Sequence, residues 1–161
     1  MRRKDREVKD NKEIEEIIAK CKTCHVAMVD DESIPYIVPL SYGYKFLDDD
    51  TLELYFHSAL EGKKIDILKK NNKVCFEMSF EGEPVFSETP CNSGYYFSSI
   101  IGHGEVIFIE DVSEKCDALS SMFKHQSGKD FVFDSSHLEN ICVYKIVSTD
   151  FTGKGKPRPN V

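Results

Sequence analysis

Strand-like runs follow one another in this chain with polar turns between them, where a doubly wound sheet would place a crossover helix after nearly every strand. His25 to Val29 reads as a strand, Asp30 to Ser33 as a hairpin turn, and Ile34 to Tyr44 as the partner strand. Pro35 and Pro39 place that partner at an edge or a bulge, because proline cannot donate to an unbroken ladder. Asp48-Asp49-Asp50 makes the next turn. Thr51 to His57 then alternates, with Leu52, Leu54 and Phe56 on one face and Glu53, Tyr55 and His57 on the other. Lys73 to Phe80, Tyr95 to Glu110 and Ile141 to Val147 complete about six strands. Gly102 and Gly104 permit a bend or bulge in the long one. Consecutive hairpins predict a mainly β (α+β) fold, a six-stranded antiparallel barrel with short flanking helices.

Three helices are expected at the junctions. Asn11 can cap one through Lys20, with Ile14, Ile17 and Ile18 on one face. Gly62 to Lys70 forms the second. Ser113 can cap the third to about His125, where Leu119, Met122 and Phe123 share a face and Gly128 ends the region. Residues 81–94 hold two prolines and no period, so a loop is expected. A chain of 161 residues suits one domain, here 1–151, and hides on the order of 70% of its unfolded surface. The glycine- and lysine-rich end, 152–161, reads as a flexible tail.

The formal charge of −7 argues against nucleic acid, whose phosphates reward basic surfaces. No apolar run reaches the roughly 20 residues a membrane helix needs, and the polar start lacks a secretion signal's apolar core. A cytoplasmic protein is expected, its six cysteines reduced thiols. Cys21-Lys22-Thr23-Cys24-His25 matches the pattern for covalent haem attachment. In a chain read as cytoplasmic, reduced and partly buried cysteines are the expectation, with a redox pair a lesser alternative. No second close-spaced pair completes a zinc site, so no metal is expected.

The stretch from Leu54 to Leu68 carries the chemistry. A strand ending in His57 and Ser58 turns through Gly62 into a short helix that opens with Lys63 and Lys64. Unpaired N–H groups of a first turn carry about half a positive charge, and two lysines add to it, so an anion such as a phosphate suits the place. An exposed junction with solvated lysines stays open on the residues alone. His57 has two readings as well: a histidine bonded to backbone at a strand end, or a group that donates to a ligand or handles a proton. His103 reads as a turn residue, and His125 and His137 carry no assigned chemistry. Tyr95, Tyr96 and Phe97 read as core or dimer surface, with the roof of a substrate pocket as the alternative, and Phe131 and Phe133 as interface.

In this order, Pro35 to Tyr44, Leu54 to Ala59, Gly62-Lys63-Lys64 and Ser98 to Gly102, with the basic start Met1 to Glu7, make a chain that resembles the pyridoxamine 5′-phosphate oxidase-like split barrels that bind FMN. Within them it is most similar to the nitroimidazole-resistance (Nim-type) proteins. The resemblance implies that Val38, Pro39, Leu40 and Ser41 run along a flavin ring and that His57 and Ser58 sit beside the ribityl chain and ring edge. It also implies Lys63 and Lys64 on the phosphate, Ser98 and Ser99 near the polar edge of the ring, and a homodimer with flavin at its interface. Tyr36 stands where the oxidase proper has an arginine, and no arginine motif occurs near Tyr144 to Phe151, so pyridoxamine phosphate oxidation is not expected. The expected activity is an FMN-dependent oxidoreductase (FAD being the other flavin) reducing a small planar acceptor, with a nicotinamide dinucleotide as transient donor. The alternative is a non-catalytic flavin-binding or haem-handling redox module.

Overall fold

The computed structural model describes residues 2–48 and 50–156. Eight strands share one antiparallel sheet: β1 (Glu7–Val8), β2 (Cys24–Val29), β3 (Pro35–Leu40), β4 (Gly43–Phe46), β5 (Leu52–Ala59), β6 (Lys73–Val85), β7 (Gly94–Phe108) and β8 (Ile141–Lys156). Their order is β3-β2-β6-β7-β8-β5-β4, with β1 paired to β8. β3 and β4 thus stand at opposite ends of the sheet, although Ser41 and Tyr42 alone separate them in the chain. Laid flat, seven strands spaced about 4.8 Å apart would put those ends roughly 30 Å from each other. A two-residue link spans only about 10 Å, so the sheet must roll up. The result is a barrel split between β3 and β4.

One strand was expected where β3 and β4 lie. The break comes from Tyr42, which is wholly buried with its hydroxyl 2.7 Å from the Ile18 carbonyl. Pulling this side chain into the core turns the chain, and Gly43 to Phe46 then pair with Tyr55 to Leu52. The predicted loop over 81–94 is also shorter in the fold. A register shift between Glu81 and Pro84 absorbs Gly82 and Glu83, Pro84 pairs with Tyr95, and β6 continues to Val85 opposite Gly94. A second shift, between His103 and Glu105, falls at Gly104. The expected tail is strand through Lys156, because Thr152 to Lys156 pair with β7 from Ile101 to Phe97. Residues 157–161 of that expectation lie outside the described residues.

Helix α1 (Asn11–Lys20) buries Ile14, Ile17 and Ile18 against the barrel, each contributing about 1.5–3 kcal/mol. Its cap is Asp10, whose carboxylate accepts from the Lys12 and Glu13 amides at 2.9 and 3.2 Å, while the predicted cap, Asn11, donates to Asp50. Helix α3 (Val112–Ser127) is likewise capped by Asp111, which accepts from the Glu114 amide at 2.9 Å, in place of Ser113. Gly128 ends it at φ 73°. Between them in sequence, α2 (Lys63–Lys70) follows β5 and buries Ile65, Ile67 and Leu68.

Two cores result. Leu52, Leu54, Phe56, Phe76, Met78, Tyr144 and Ile146 fill the barrel, and Phe56 stacks on Tyr144 at 5.5 Å. Outside the barrel, α3 lays Ala118, Leu119 and Met122 on Tyr55 and Val143. His57, two residues beyond Tyr55 on β5, follows that outer face.

Candidate functional site

Helix α2 begins without a side-chain cap. Gly62 occupies the N-cap at φ 129° and ψ 161°, a conformation open to glycine and costly for other residues. The first-turn amides therefore keep their donor capacity for a ligand or for water. The two lysines that follow differ in their surroundings. Lys63 Nζ lies 3.8 Å from the Asp30 carboxylate and 4.9 Å above the Tyr36 ring, held toward the β2–β3 hairpin. Lys64 is half-buried over Tyr144, 5.8 Å from the ring centre. Among the described residues no carboxylate pairs with Lys64, and burial pulls its pKa below the usual lysine range. An ammonium in that position gains from an anion.

β5 brings His57 and Ser58 beside this helix start. They pair with Val143 and Cys142 of β8. The Ser58 hydroxyl donates to the Ala59 carbonyl at 2.9 Å. His57 titrates below the ordinary histidine value, first because of burial and then because of the Lys64 charge, so at neutral pH it is an uncharged imidazole with one donor and one acceptor. On its α3 side opens a cavity of about 420 Å³ lined by Ser41, His57, Leu119, Met122, Phe133 and His137, among others. His137 is the residue that sequence reasoning passed over. It sits in a short 3-10 turn, Ser135–Leu138, whose Asp134 cap is the signal available in the sequence.

β3 places Val38 and Leu40 half-buried and Pro39 exposed on an edge strand, as the two prolines predicted, and Ser41, just past its end, is exposed. An edge leaves alternate backbone groups without a strand partner. Ser98 and Ser99 lie elsewhere. They face Phe80 and Ser79 on β6 and Gly155 and Lys154 on β8, and Ser98 lines a separate groove of about 900 Å³ with Arg6, Phe97 and Lys156. Cys142, opposite Ser58, and Lys154, opposite Ser99, are twelve residues apart on β8, about 40 Å of strand. A single chain brings His57 together with Ser41 and Lys64, with Ser58 and Lys63 alongside, and leaves Ser98 and Ser99 remote.

The haem-like motif dissolves into the core. Cys21 and Cys24 are 3% and 0% exposed, and burial pushes the Cys21 thiol up to about 11 and Cys24 higher still. His25 points outward, 3.2 Å from Glu77. Among the described residues no cluster of three histidine, cysteine or carboxylate groups could hold a metal ion, and no helix is long and apolar enough to cross a membrane.

A phosphate-bearing flavin fits the residues present. The uncapped helix start and the unpaired Lys64 offer an anion site, and the edge of β3 beside it offers backbone groups to a planar polar ring. The chain is 34% identical to a protein from Bacteroides thetaiotaomicron VPI-5482 named for 5-nitroimidazole antibiotic resistance, over 92% of this chain and 86% of that one, with a TM-score of 0.80. The flavocytochrome Anf3 of Azotobacter vinelandii (16% identity, 100% and 74% coverage, TM-score 0.79) and an FAD-binding protein of Mesorhizobium loti (18%, 93% and 96%, 0.66) share the fold. No curated protein matches the chain. The sequence profile described as pyridoxamine 5′-phosphate oxidase matches residues 10–155, nearly the whole chain, and the protein belongs to that family.

Proposed function

We propose that the protein is a cytoplasmic, homodimeric FMN-dependent oxidoreductase that passes electrons from a nicotinamide dinucleotide to a small planar acceptor, nitroimidazoles among them. The observation that carries this reading is Lys64, a half-buried cation without a carboxylate partner at an uncapped helix start, beside a neutral His57 at the mouth of an apolar cavity. The helix amides and Lys64 would hold the phosphate, with Lys63 at the rim, and Val38 to Ser41 would lie along the ring. FAD offers the same phosphate chemistry to this pole. Bound flavin supplies reversible one- and two-electron transfer.

The chain's own residues do the rest. His57, kept neutral by burial and by Lys64, has an N–H to donate to a bound polar group and a free nitrogen to take up a proton. Leu119, Met122 and Phe133 keep water away from one side of it. Ser98 and Ser99, remote from this pole within one chain, would reach such a site from a second copy, which supports the homodimer reading. The sequence holds no Gly-x-Gly-x-x-Gly run for a resident dinucleotide, so the nicotinamide would bind transiently.

The test is optical. Protein purified without added cofactor should show flavin absorbance, and adding a reduced nicotinamide should bleach it, with colour returning on addition of a nitroimidazole. A yellow protein that never bleaches would instead be the non-catalytic flavin carrier, and a colourless one that cannot be loaded with FMN would end the flavin reading.

A further inference from the structure

The cavity beside His57 has a second imidazole, and nothing in the flavin reading uses it. His137 lines the wall formed by the segment after α3, facing residues contributed by β5 and α3. Its Nδ1 is engaged. The Asp134 backbone N–H donates to it at 3.2 Å, and the Asp134 carboxylate oxygen Oδ1 lies 3.0 Å away, itself accepting from the Ser136 amide at 2.9 Å. In the capping box the Asp134 backbone N–H donates to Nδ1, and the tautomer that this bond selects carries the ring hydrogen on Nε2, which then stands as a donor; among the described residues no acceptor is bonded to it. Phe131 and Phe133 meet the imidazole edge-on at 5.5 and 5.4 Å and fix its orientation.

We infer that His137 is a specificity-determining residue for acceptors bearing a nitro group, its Nε2–H donating to a nitro oxygen of a single planar ring lodged in this cavity. The remaining walls suit such a guest. Phe133, Leu119, Met122 and Ile141 offer apolar surface to the faces and edges of one ring, and the volume, about 420 Å³, stands near the lower end for small-molecule pockets. No lysine lines it, which sets it apart from the phosphate pole at α2. A nitro group accepts hydrogen bonds and donates none, so it matches an imidazole edge that presents N–H.

This inference deepens the proposed function by naming the acceptor's place, and its test does not need flavin. Nitrobenzene and toluene, which share a ring and differ in nitro against methyl, are titrated calorimetrically into the purified full chain freed of cofactor. The key variant is His137→Gln, whose side-chain oxygen can still accept from the Asp134 amide as glutamine does at this position of a capping box, while the imidazole is lost. Its melting temperature should match the parent's. Nitrobenzene should bind the variant about three- to tenfold more weakly, the worth of one hydrogen bond, with toluene unchanged. His137→Ala, should the glutamine variant fail to fold, should show the same selective loss. Equal nitrobenzene affinity in parent and variant, a parallel loss for both ligands, or no nitrobenzene binding to the parent would each overturn the assignment. Flavin titration separates the two readings: a parent that binds no flavin would sink the proposed function and leave the nitrobenzene result standing, whereas His137→Gln should bind flavin as the parent does, and its loss there would put the imidazole at the cofactor and overturn this assignment.

Discussion

Lys63 and Lys64 are neighbours in sequence and differ in circumstance, and the difference is measurable. Lys64→Ala should weaken FMN binding about 10- to 100-fold in a fluorescence titration, since a charge-assisted hydrogen bond contributes about 1.5–3 kcal/mol. Lys63→Ala should cost only a few-fold, because Asp30 and Tyr36 already engage that ammonium. Equal losses would mean that Lys63 leaves Asp30 to join the phosphate. Gly43 makes a second prediction at this scale. A Cβ there would stand 2.5 Å from the Met122 amide nitrogen and 2.7 Å from the Ser121 carbonyl carbon, both backbone atoms. Gly43→Ala should push α3 outward and lower stability by about 1–3 kcal/mol in urea denaturation, loosening the cavity wall that α3 supplies.

α3 is the element that closes that cavity, and two of its side chains fasten it to the split in the barrel. His125 Nε2 bonds the Cys21 carbonyl at 2.9 Å and its ring packs on Tyr42 at 4.7 Å, while Gln126 donates to the Tyr42 carbonyl at 2.9 Å. Burial, then the Lys22 charge, lowers the His125 pKa below the usual histidine value. The unfolded chain thus binds a proton there at a higher pH than the folded chain does. The stability this neutral ring contributes is complete above about pH 6.5 and drains away as pH falls from the unfolded value through the folded one. His57, lowered in the same direction, adds to the same loss. Thermal unfolding between pH 7.5 and 5 should therefore show a falling midpoint, and His125→Gln should flatten that fall. A parent protein equally stable across the range would contradict the lowered titration of both rings.

At the scale of the whole molecule, the remoteness of Ser98 and Ser99 from Lys64 within one chain leads to a complementation test. In the proposed dimer each flavin site draws Lys64 from one protomer and the serine strand from its partner. Ser98→Trp, whose bulk projects into the groove that Ser98 lines, and Lys64→Ala should each bind FMN poorly alone. Mixed dimers of the two should recover parental affinity at half of their sites, because one site then carries both variants and the other neither. Size-exclusion chromatography with light scattering checks that the parent is a dimer. A monomer, or mixed dimers with no recovered sites, would place the serines outside the flavin site.

Much of this was legible in the residues because it is local. Alternation from Leu52 to His57, the isoleucine spacing of α1, the edge prolines of β3 and the glycine-led start of α2 each depend on neighbours a few positions away, where periodicity and backbone restriction act. Tertiary structure alone decided the rest. The sheet's two ends are joined by Tyr42 because that side chain finds the Ile18 and Cys21 carbonyls twenty or so residues back. Lys63 and Lys64 part company because Asp30 comes from the distant β2–β3 turn and Tyr144 from β8. His137 reaches the cavity of His57 only because α3 folds back over β5. Local pattern fixes which face of each element is apolar, whereas the identity of the groups that meet across a packed barrel follows from long-range pairing, which has no signature within a short window of sequence.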